Sequence, residues 1–343
     1  MTTNERADDE VKGCARFEAA RPLVSVIIPH CNDLVNLERC LRLLRAQTLP
    51  LGAFEVVVAD NNSSCGLDAV RRLCGGFAQV TPAPIQGAGP ARNAGVETSR
   101  GRFLAFIDAD CRPSPTWLER GMAALAAGDI VGGRVDVEVE DPAHPTAVEL
   151  FEKVFAFNFK RYIEKLGFSG TGNMFVPREA FDRVGGFRGR VAEDLDWGRR
   201  AIAAGYRWRY AEDVVVSHPA RRTWAELTEK WRKSSREAFA ICLERRYGRV
   251  IWFGRSLLVL ASPFAQWAIV LRSSKLQGAR ERLSAIAILF RIRFWRFIEC
   301  QRLLLWQAPP RDGPFENERR RIWSTTATPS THSKPVRASR LSR

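Results

Sequence analysis

The sequence predicts an α/β fold in which a mostly parallel sheet carries helices on both faces and a basic helical region follows. Three apolar runs without polar alternation, at residues 23–28, 54–59 and 103–107, are typical of parallel strands that are buried on both faces. Helical periodicity follows each run after a polar turn, so strand and helix alternate along the first half of the chain. A length of 343 residues fits one large α/β domain with an appendage, or two ordinary domains.

The elements of the first half follow from local pattern. The first strand is expected to end at Pro29, which has no N–H to give to a ladder hydrogen bond. Leu34, Leu37, Leu41 and Leu44 then recur at helical spacing. On the same reasoning, the strands are expected at residues 23–28, 54–59, 77–81 and 103–107, and the helices at residues 34–47, 69–73, 87–99 and 116–127.

The second half is less regular. Residues 131–140 alternate valine with polar residues, as a strand with one wet face would. Residues 147–166 are expected to form one helix with three phenylalanines on one face, and a glycine-rich loop at residues 168–176 leads into a strand. The remaining elements are expected as helices at residues 178–184 and 193–204 and a strand at residues 208–216, with His218 just beyond it.

Two acids one residue apart, Asp108 and Asp110, follow the third apolar run. Ligands of open α/β sheets collect beyond the carboxyl ends of such strands. Mg²⁺ or Mn²⁺ takes carboxylates together with the oxygens of a diphosphate, so the pair is a candidate metal site that would hold a nucleotide. Aspartate is also common in turns and helix caps, and a plain strand-end turn is the alternative.

Gly87, Gly89 and Pro90 stand where the helix at residues 87–99 would begin, with Arg92 in its first turn. Backbone N–H groups and the positive end of the helix dipole attract phosphate at such a place. The segment is neither a Walker A loop nor a G-x-G-x-x-G fingerprint. By itself it is therefore a weak signal for a phosphate site.

The charge is unevenly distributed along the chain. Residues 1–220 hold 27 Lys and Arg against 29 Asp and Glu, whereas residues 221–343 hold 26 against 9. The basic part predicts an anionic partner, either nucleic acid or the negative cytoplasmic face of a membrane.

The eight cysteines are scattered, with no C-x-x-C pair and no histidine at zinc-site spacing. They are typical of reduced thiols. The first ten residues are polar and acidic and lack the pattern of a secretory signal. The expected location is the cytosol or the cytoplasmic face of its membrane.

Seven short motifs resemble those of glycosyltransferase family two, and they stand in the order of that family. They are SVIIP at 25–29, ADNNSS at 59–64, ARNAG at 91–95, FIDAD at 106–110, GNM at 172–174, GGF at 185–187 and EDLD at 193–196. Each motif is common, but the series is specific. The resemblance covers roughly residues 22–219 and implies the GT-A fold with its Rossmann-like sheet. Processive members carry a Q-x-x-R-W motif, which residues 230–232 do not match, so the likeness is to the non-processive bacterial type.

The resemblance implies where the donor would bind. Pro29 would lie against the nucleotide base, and Asp60 would accept hydrogen bonds from the uracil or ribose. Arg92 and Asn93 would lie near the nucleotide and the donor sugar. Asp108 would contact the nucleotide through the metal ion that it helps to bind.

The resemblance also implies the groups that carry the chemistry. Asp110, assisted by Asp108, would hold Mg²⁺ or Mn²⁺ on the diphosphate, and His218 would complete that metal site. Asp194 matches the catalytic base. The residues expected near the donor sugar or the acceptor are Gly172, Asn173 and Glu193.

Several of these residues have a structural alternative. Asp194 could be the N-cap of the helix that follows, since aspartate often has that role. His218 could be structural, because histidine is a softer ligand than these metals usually take. Asp60 could simply be the first residue of a turn. His30 stands where the family often has tyrosine or threonine, which leaves its role open.

The basic part predicts contact with a membrane surface. Residues 256–271 carry no charge but fall short of the roughly twenty residues that span a bilayer. Residues 283–306 mix large apolar residues with arginines, the composition of a helix in a membrane interface. Two amphipathic helices packed on the catalytic domain are the alternative.

The chain as a whole is expected to have four parts. They are a flexible lead-in at 1–21, a GT-A catalytic domain at 22–220, a basic helical region at 221–306 and a disordered basic tail at 307–343.

The sequence as a whole predicts a metal-dependent, inverting glycosyltransferase that moves one sugar from a nucleotide-diphosphate donor, expected to be UDP-linked, to a hydroxyl of a glycan or lipid-linked acceptor. The family resemblance implies polysaccharide biosynthesis. One alternative is a nucleotidyltransferase, although residues 29–33 lack the basic glycine-rich loop that it would need. The other is a non-enzymatic binder of anionic lipid or nucleic acid, although no nucleic-acid partner is expected.

Overall fold

The structure is a computed structural model that describes residues 21–126, 129–189, 192–243 and 245–306. The expected tail at 307–343, and the expected lead-in apart from Arg21, lie outside the described residues. The strands are β1 (Val24–His30), β2 (Phe54–Asp60), β3 (Gln79–Pro82), β4 (Phe103–Phe106), β5 (Arg112–Pro113), β6 (Ile130–Glu138), β7 (Met174–Pro177) and β8 (Trp208–Pro219).

The strands form one sheet in the order β3-β2-β1-β4-β7-β6-β8-β5. The half from β3 to β4 is parallel throughout. β7 is antiparallel to both of its neighbours, β4 and β6, while β6 and β8 are parallel. The α/β class is confirmed, and the parallel half is the part that the alternation of strand and helix predicted.

The helices alternate with these strands and then follow one another without strands. They are α1 (Leu34–Arg45), α2 (Leu67–Cys74), α3 (Ala88–Thr98), α4 (Trp117–Leu125), α5 (Ala147–Phe155), α6 (Phe159–Arg161), α7 (Arg178–Val184), α8 (Glu193–Ala203), α9 (Trp224–Leu243), α10 (Gly248–Arg272) and α11 (Gly278–Trp306). Short 3₁₀ turns cover Leu51–Ala53 and Thr171–Asn173, and a π-helical turn covers Tyr162–Leu166.

Helices cover both faces of the sheet because successive residues of a strand point to opposite sides. Val26 of β1 and Val58 of β2 pack on one face, in a core shared with α1, α2 and α4. Ile27 and Val57 pack on the other face, in a core shared with α3, α7 and α8. All four side chains are buried, which is why these strands read as apolar runs without alternation.

β1 does not end at Pro29 as expected but continues to His30. Ile27 accepts a hydrogen bond from Ile107 on the β4 side, so Pro29, two residues later, also faces that side. The ladder between β1 and β4 ends at the pair Ile27 and Phe106. The missing N–H of Pro29 therefore breaks no ladder hydrogen bond. On its other side β1 stays paired with β2 as far as His30.

The single helix expected at residues 147–166 is wrong, because the chain is broken after α5. Ala156 is extended, Phe157 has a φ of 53°, and the Asn158 side chain caps the short α6. A positive φ is uncommon for a residue with a side chain of this size. The break brings the Phe157 ring onto His218, with ring centroids 4.5 Å apart, so the unusual backbone is found beside the predicted site.

The C-terminal helices build a separate apolar core with α5. Leu227 of α9, Val270 of α10 and Leu289 of α11 are all buried in it beside Phe151. Among the described helices, α10 is long and apolar enough to cross a membrane when judged by length and composition alone. That is weak evidence, since a buried helix of a soluble protein meets the same criterion.

Candidate active site

A cavity of about 520 Å³ opens beside the carboxyl ends of β1 and β4. Pro29 and His30 line it from the end of β1, and Asp108 and Asp110 line it from the loop after β4. Segments from the second half of the chain close the other sides. Ligands of open α/β sheets bind at this edge, so the cavity is the candidate active site.

Asp110 and His218 face each other in the cavity. The short pairing of β5 with β8 brings the two segments together, and Asp110 Oδ2 lies 3.3 Å from His218 Nε2. His218 Nδ1 lies 2.7 Å from the carbonyl oxygen of Pro219, to which it donates. A neutral His218 would then present the lone pair of Nε2 to a carboxylate, so two acceptors meet. A proton on Nε2 or a bound cation resolves this arrangement.

The electrostatics of the pair favour charge separation. Burial lowers the pKa of His218, but the hydrogen bond and the charge of Asp110 outweigh burial and leave the pKa raised. Burial raises the pKa of Asp110, and the interaction with His218 outweighs it, so that pKa is lowered. The carboxylate of Asp110 is therefore held in the ionised form that a metal needs.

The acidic end of the cavity fits a hard divalent cation. Asp108, Asp110 and Cys111 present possible ligand atoms within 4.8 Å of one another. Burial, and then the two acids, raise the pKa of Cys111 well above its ordinary value, so it stays a thiol and is a poor ligand for Mg²⁺ or Mn²⁺. Asp110 Oδ2 and His218 Nε2, 3.3 Å apart, are near enough to be ligands of one ion. Asp108 and Asp110 are thus the candidate ligands of that group, and His218, which adjoins Asp110 but is not a member of the group, stays a predicted third ligand.

Arg92 of α3 links the two acidic sides of the cavity. Its Nη2 lies 2.5 Å from Asp108 Oδ1 and its Nη1 lies 2.6 Å from Glu193 Oε1. Burial opposes the charge of Arg92, but the two carboxylates outweigh it and raise the pKa above its ordinary value. Glu193 Oε2 also accepts from the N–H of Gly89 at 3.1 Å. The helix end expected to attract phosphate therefore binds a carboxylate of the chain.

Asp194 lies in the first turn of α8 and lines the same cavity. Thr171 Oγ1 donates to its Oδ1 at 2.9 Å. Burial is the largest influence and, with the nearby acids, raises the pKa of Asp194 to about 6 against the opposing charge of Arg92. The N-cap of α8 is Ala192, so Asp194 is not the cap that formed its structural alternative. A carboxylate with this pKa suits general-base work near neutral pH.

Of the two residues predicted in the glycine-rich loop, Gly172 lines the cavity and Asn173 lies in the core. A Cβ atom on Gly172 would lie 2.9 Å from Asp108 Oδ2, so only glycine lets the loop come this close. Asn173 is fully buried. Its Nδ2 donates to backbone carbonyls of β6 and β8, and its Oδ1 accepts from Trp117 Nε1 at 2.9 Å. Asn173 therefore joins three elements behind the cavity.

Asp60 and Asn93 also pack behind the cavity. Asp60 is 4% exposed and binds His30 Nδ1 at 2.9 Å, and it also accepts from the hydroxyl of Ser63. His30 stands in front of it, at the cavity wall. Both ends of the Asn93 amide bond to the backbone of Phe187 at 2.8 Å. Of the residues predicted from the sequence, the structure brings to the cavity Pro29, Arg92, Asp108, Asp110, Gly172, Glu193, Asp194 and His218.

The sequence did not point to two further groups of lining residues. Aromatic side chains of the broken segment and the following loop form one wall, and Tyr162 and Phe168 stack with ring centroids 5.3 Å apart. Lys233 of α9 reaches the cavity from the basic helical region. The density of aromatic residues between 151 and 168 was visible in the sequence, but nothing there signalled Lys233. The aromatic wall consists of Phe157, Phe159, Tyr162 and Phe168.

The family described as Glycosyl transferase family 2 matches this chain over residues 25–198, half of its length. Glycosyltransferase AglE of Haloferax volcanii is 37% identical over 217 residues, which are 61% of this chain and 70% of that protein. Validoxylamine A glucosyltransferase of Streptomyces hygroscopicus subsp. jinggangensis is 28% identical over 240 residues, 59% of this chain and 54% of that protein.

A solved structure shares the fold. It is the mannosyltransferase PcManGT from Pyrobaculum calidifontis, in complex with GDP-Man and Mn²⁺, with a TM-score of 0.53 and 21% sequence identity. The match covers 83% of this chain and 88% of that one. At this identity the likeness concerns the fold, which agrees with the architecture expected from the motifs.

Proposed function

Since the chain belongs to glycosyl transferase family 2, we propose that it moves one sugar from a nucleotide-diphosphate donor, UDP-linked, to a hydroxyl of a glycan or lipid-linked acceptor. The observation that supports this most is the single cavity in which Asp108, Asp110 and His218 meet Asp194. Residues 22–220 would form the catalytic domain and residues 221–306 the helical region beside it.

The leaving group is the nucleoside diphosphate. A divalent cation held by Asp108, Asp110 and His218 would act as a Lewis acid that neutralises the charge developing on it. Arg92 is bound to Asp108 and Glu193, so its role is to hold both carboxylates in place. Lys233 is exposed at the cavity and would offer a movable cation to the phosphates.

The nucleophile is the acceptor hydroxyl, and Asp194 would take its proton. Thr171 fixes one carboxylate oxygen of Asp194 and leaves the other for the acceptor. The site would hold one base and form no covalent sugar intermediate, so direct displacement would invert the anomeric carbon. The nucleotide base would lie against Pro29 and His30, with Asp60 fixing His30 from behind.

The aromatic wall would receive the acceptor. Phe157, Phe159, Tyr162 and Phe168 line the cavity near Thr171 and Asp194. Stacked rings bind flat apolar surfaces, such as the C–H face of a sugar ring. We therefore place a glycan unit of the acceptor on this wall.

The pH dependence follows from Asp194. Its pKa is raised to about 6, and the base works only when it is ionised. At saturating Mn²⁺, which keeps a ligand His218 neutral, we expect kcat/KM to be flat above this pH and to fall roughly tenfold for each pH unit below it, because kcat/KM reports the groups of the free enzyme. Initial rates at low substrate, measured across pH, check this. An acid limb at the ordinary aspartate range near pH 4 would contradict the role of Asp194.

The proposal is tested with a donor panel. Melting temperatures with UDP-, GDP- and dTDP-sugars, each with and without Mn²⁺, should show stabilisation by UDP-sugars that requires the metal. Product analysis by NMR of the anomeric centre should show inversion. A nucleotidyltransferase would instead release pyrophosphate from a nucleoside triphosphate and a sugar phosphate, and that result would replace the proposal.

A further inference from the structure

The junction of α9 and α11 holds two guanidinium groups around one indole ring. Arg296 Cζ lies 3.7 Å from the ring centroid of Trp231, and Arg293 Cζ lies 5.9 Å from it. Arg293 also donates to Gln266 Oε1 of α10 at 2.9 Å, so all three C-terminal helices meet here. We define the arginine pocket as Trp231, Arg293 and Arg296.

Three donors of the arginine pocket have no acceptor within the described part of the chain. They are Nε of Arg293, Nε of Arg296 and Nε1 of Trp231, and all three atoms are buried. Neither arginine forms an ion pair with a described acid, and Glu152, the buried acid of α5, is already bound to Arg221 and Lys230. The arginine pocket therefore contains only donors and positive charge.

The two arginines remain charged at neutral pH although their environment opposes it. Burial, and then repulsion by Arg293 and Arg255, lower the pKa of Arg296 to about 9. Burial also lowers the pKa of Arg293. Desolvated like charges without a counter-ion are costly, and a bound anion would remove that cost. A phosphate group accepts only and pairs with guanidinium in a planar, charge-assisted geometry, so its chemistry matches the unmet donors.

The helices of the arginine pocket expose large apolar side chains. On α11 they fall on one stripe at helical spacing, and on α10 Phe264 joins them through an edge contact with Phe290, with ring centroids 5.3 Å apart. Leu258 and Phe264 are each 72% exposed. The exposed apolar residues of the α11 stripe are Leu283, Phe290, Phe294, Ile298 and Leu305.

From these contacts we infer that the arginine pocket binds the phosphate headgroup of an anionic membrane lipid while the apolar faces of α10 and α11 lie in the membrane interface. Apolar area combined with basic residues is what binds a helix to anionic bilayers. A second copy of the chain would be a poor occupant, because residues 221–306 hold 18 Lys and Arg against 6 Asp and Glu and two such surfaces repel. The inference concerns binding and does not depend on the sugar-transfer reaction.

The test is co-sedimentation of the full chain with vesicles of phosphatidylcholine alone and of phosphatidylcholine containing phosphatidylglycerol. We expect binding to the anionic vesicles. The double variant Arg293→Gln/Arg296→Gln should weaken it roughly 30-fold, as expected for two cations at an anionic surface. The matched control Arg236→Gln/Arg280→Gln removes two exposed charges from α9 and α11 but leaves the arginine pocket intact, so it should weaken binding less than the first double variant does. Phe294→Ser should weaken binding to both kinds of vesicle.

A stability measurement separates a ligand site from a packing role. Without lipid, Arg293→Gln/Arg296→Gln should melt no lower than the wild type, because it removes buried charge that lacks a counter-ion. A clearly lower melting temperature would assign the two arginines to packing on Trp231 and overturn the inference. Equal loss of binding in the two double variants, no preference for phosphatidylglycerol, or binding to inorganic phosphate or an oligonucleotide in place of vesicles would each overturn it as well.

Discussion

Replacement of Asp194 by asparagine is expected to reduce sugar transfer by roughly three orders of magnitude, the size of a general-base contribution. Asparagine keeps the volume and can still accept from Thr171, so the cavity should keep its shape. The change removes a partly buried carboxylate whose pKa is raised, and the melting temperature should therefore not fall. Steady-state rates with saturating donor, and donor titrations followed by melting temperature, measure the two effects.

Asp196→Asn is the matched control for that variant. Asp196 lies in the same turn of α8, but its carboxylate binds Arg188 and Arg200 and does not line the cavity. We expect it to keep transfer within about threefold of the wild type, because partly exposed ion pairs contribute little. In Asp194→Asn the residual activity should also lose the acid limb near pH 6. Normal turnover, or an unchanged pH profile, would remove Asp194 from the mechanism.

Asp110→Asn should produce the second large effect, a loss of transfer of roughly a thousandfold together with the loss of metal-dependent donor binding. The substitution removes the charge that faces His218 Nε2 at 3.3 Å and that would bind the cation. His218 also loses the carboxylate that raises its pKa, so its proton is released at lower pH. Donor titrations with and without Mn²⁺ check the binding arm, and initial rates check the catalytic arm.

Asp213→Asn is the matched control for Asp110→Asn, because it removes one acid from β8, the strand that carries His218. Asp213 lies on β8 with His218, but its side chain is 62% exposed and points to Arg120 rather than to the cavity. Its loss should leave the metal dependence and the rate within about twofold. If Asp110→Asn keeps the Mn²⁺-dependent rise in melting temperature with donor, the acids do not hold the metal.

The chemistry-bearing residues of the cavity were visible in the sequence because each stands at a pattern boundary. Asp108 and Asp110 follow a buried strand, and Arg92 lies near the start of a helix whose N-cap is glycine. The parallel half of the sheet brings these boundaries to one edge, so the local pattern was enough to group them. The motif series was also enough to predict the family that the comparisons confirm.

The sequence could not tell cavity residues from residues packed behind the cavity. Asp60, Asn93 and Asn173 carry the same kinds of polar groups as the cavity residues, yet each is bonded internally. Side-chain direction depends on which donors and acceptors the neighbouring elements supply, and those elements are distant in sequence. The break at Phe157 is a similar case, because a positive φ in phenylalanine has no local signal.

By itself the sequence determined the α/β class, the family and the carboxylates at the strand ends, because these depend on hydrophobic period and on short motifs. Only the tertiary structure decided which polar groups remain free, since that requires every hydrogen bond of a buried group to be counted. In the structure Ala192, not Asp194, is the N-cap of α8, and burial raises the pKa of Asp194 to about 6. It also placed two arginines of α11 around Trp231 with no acid of the described residues paired to them, a consequence of helix packing that no run of residues along the chain contains.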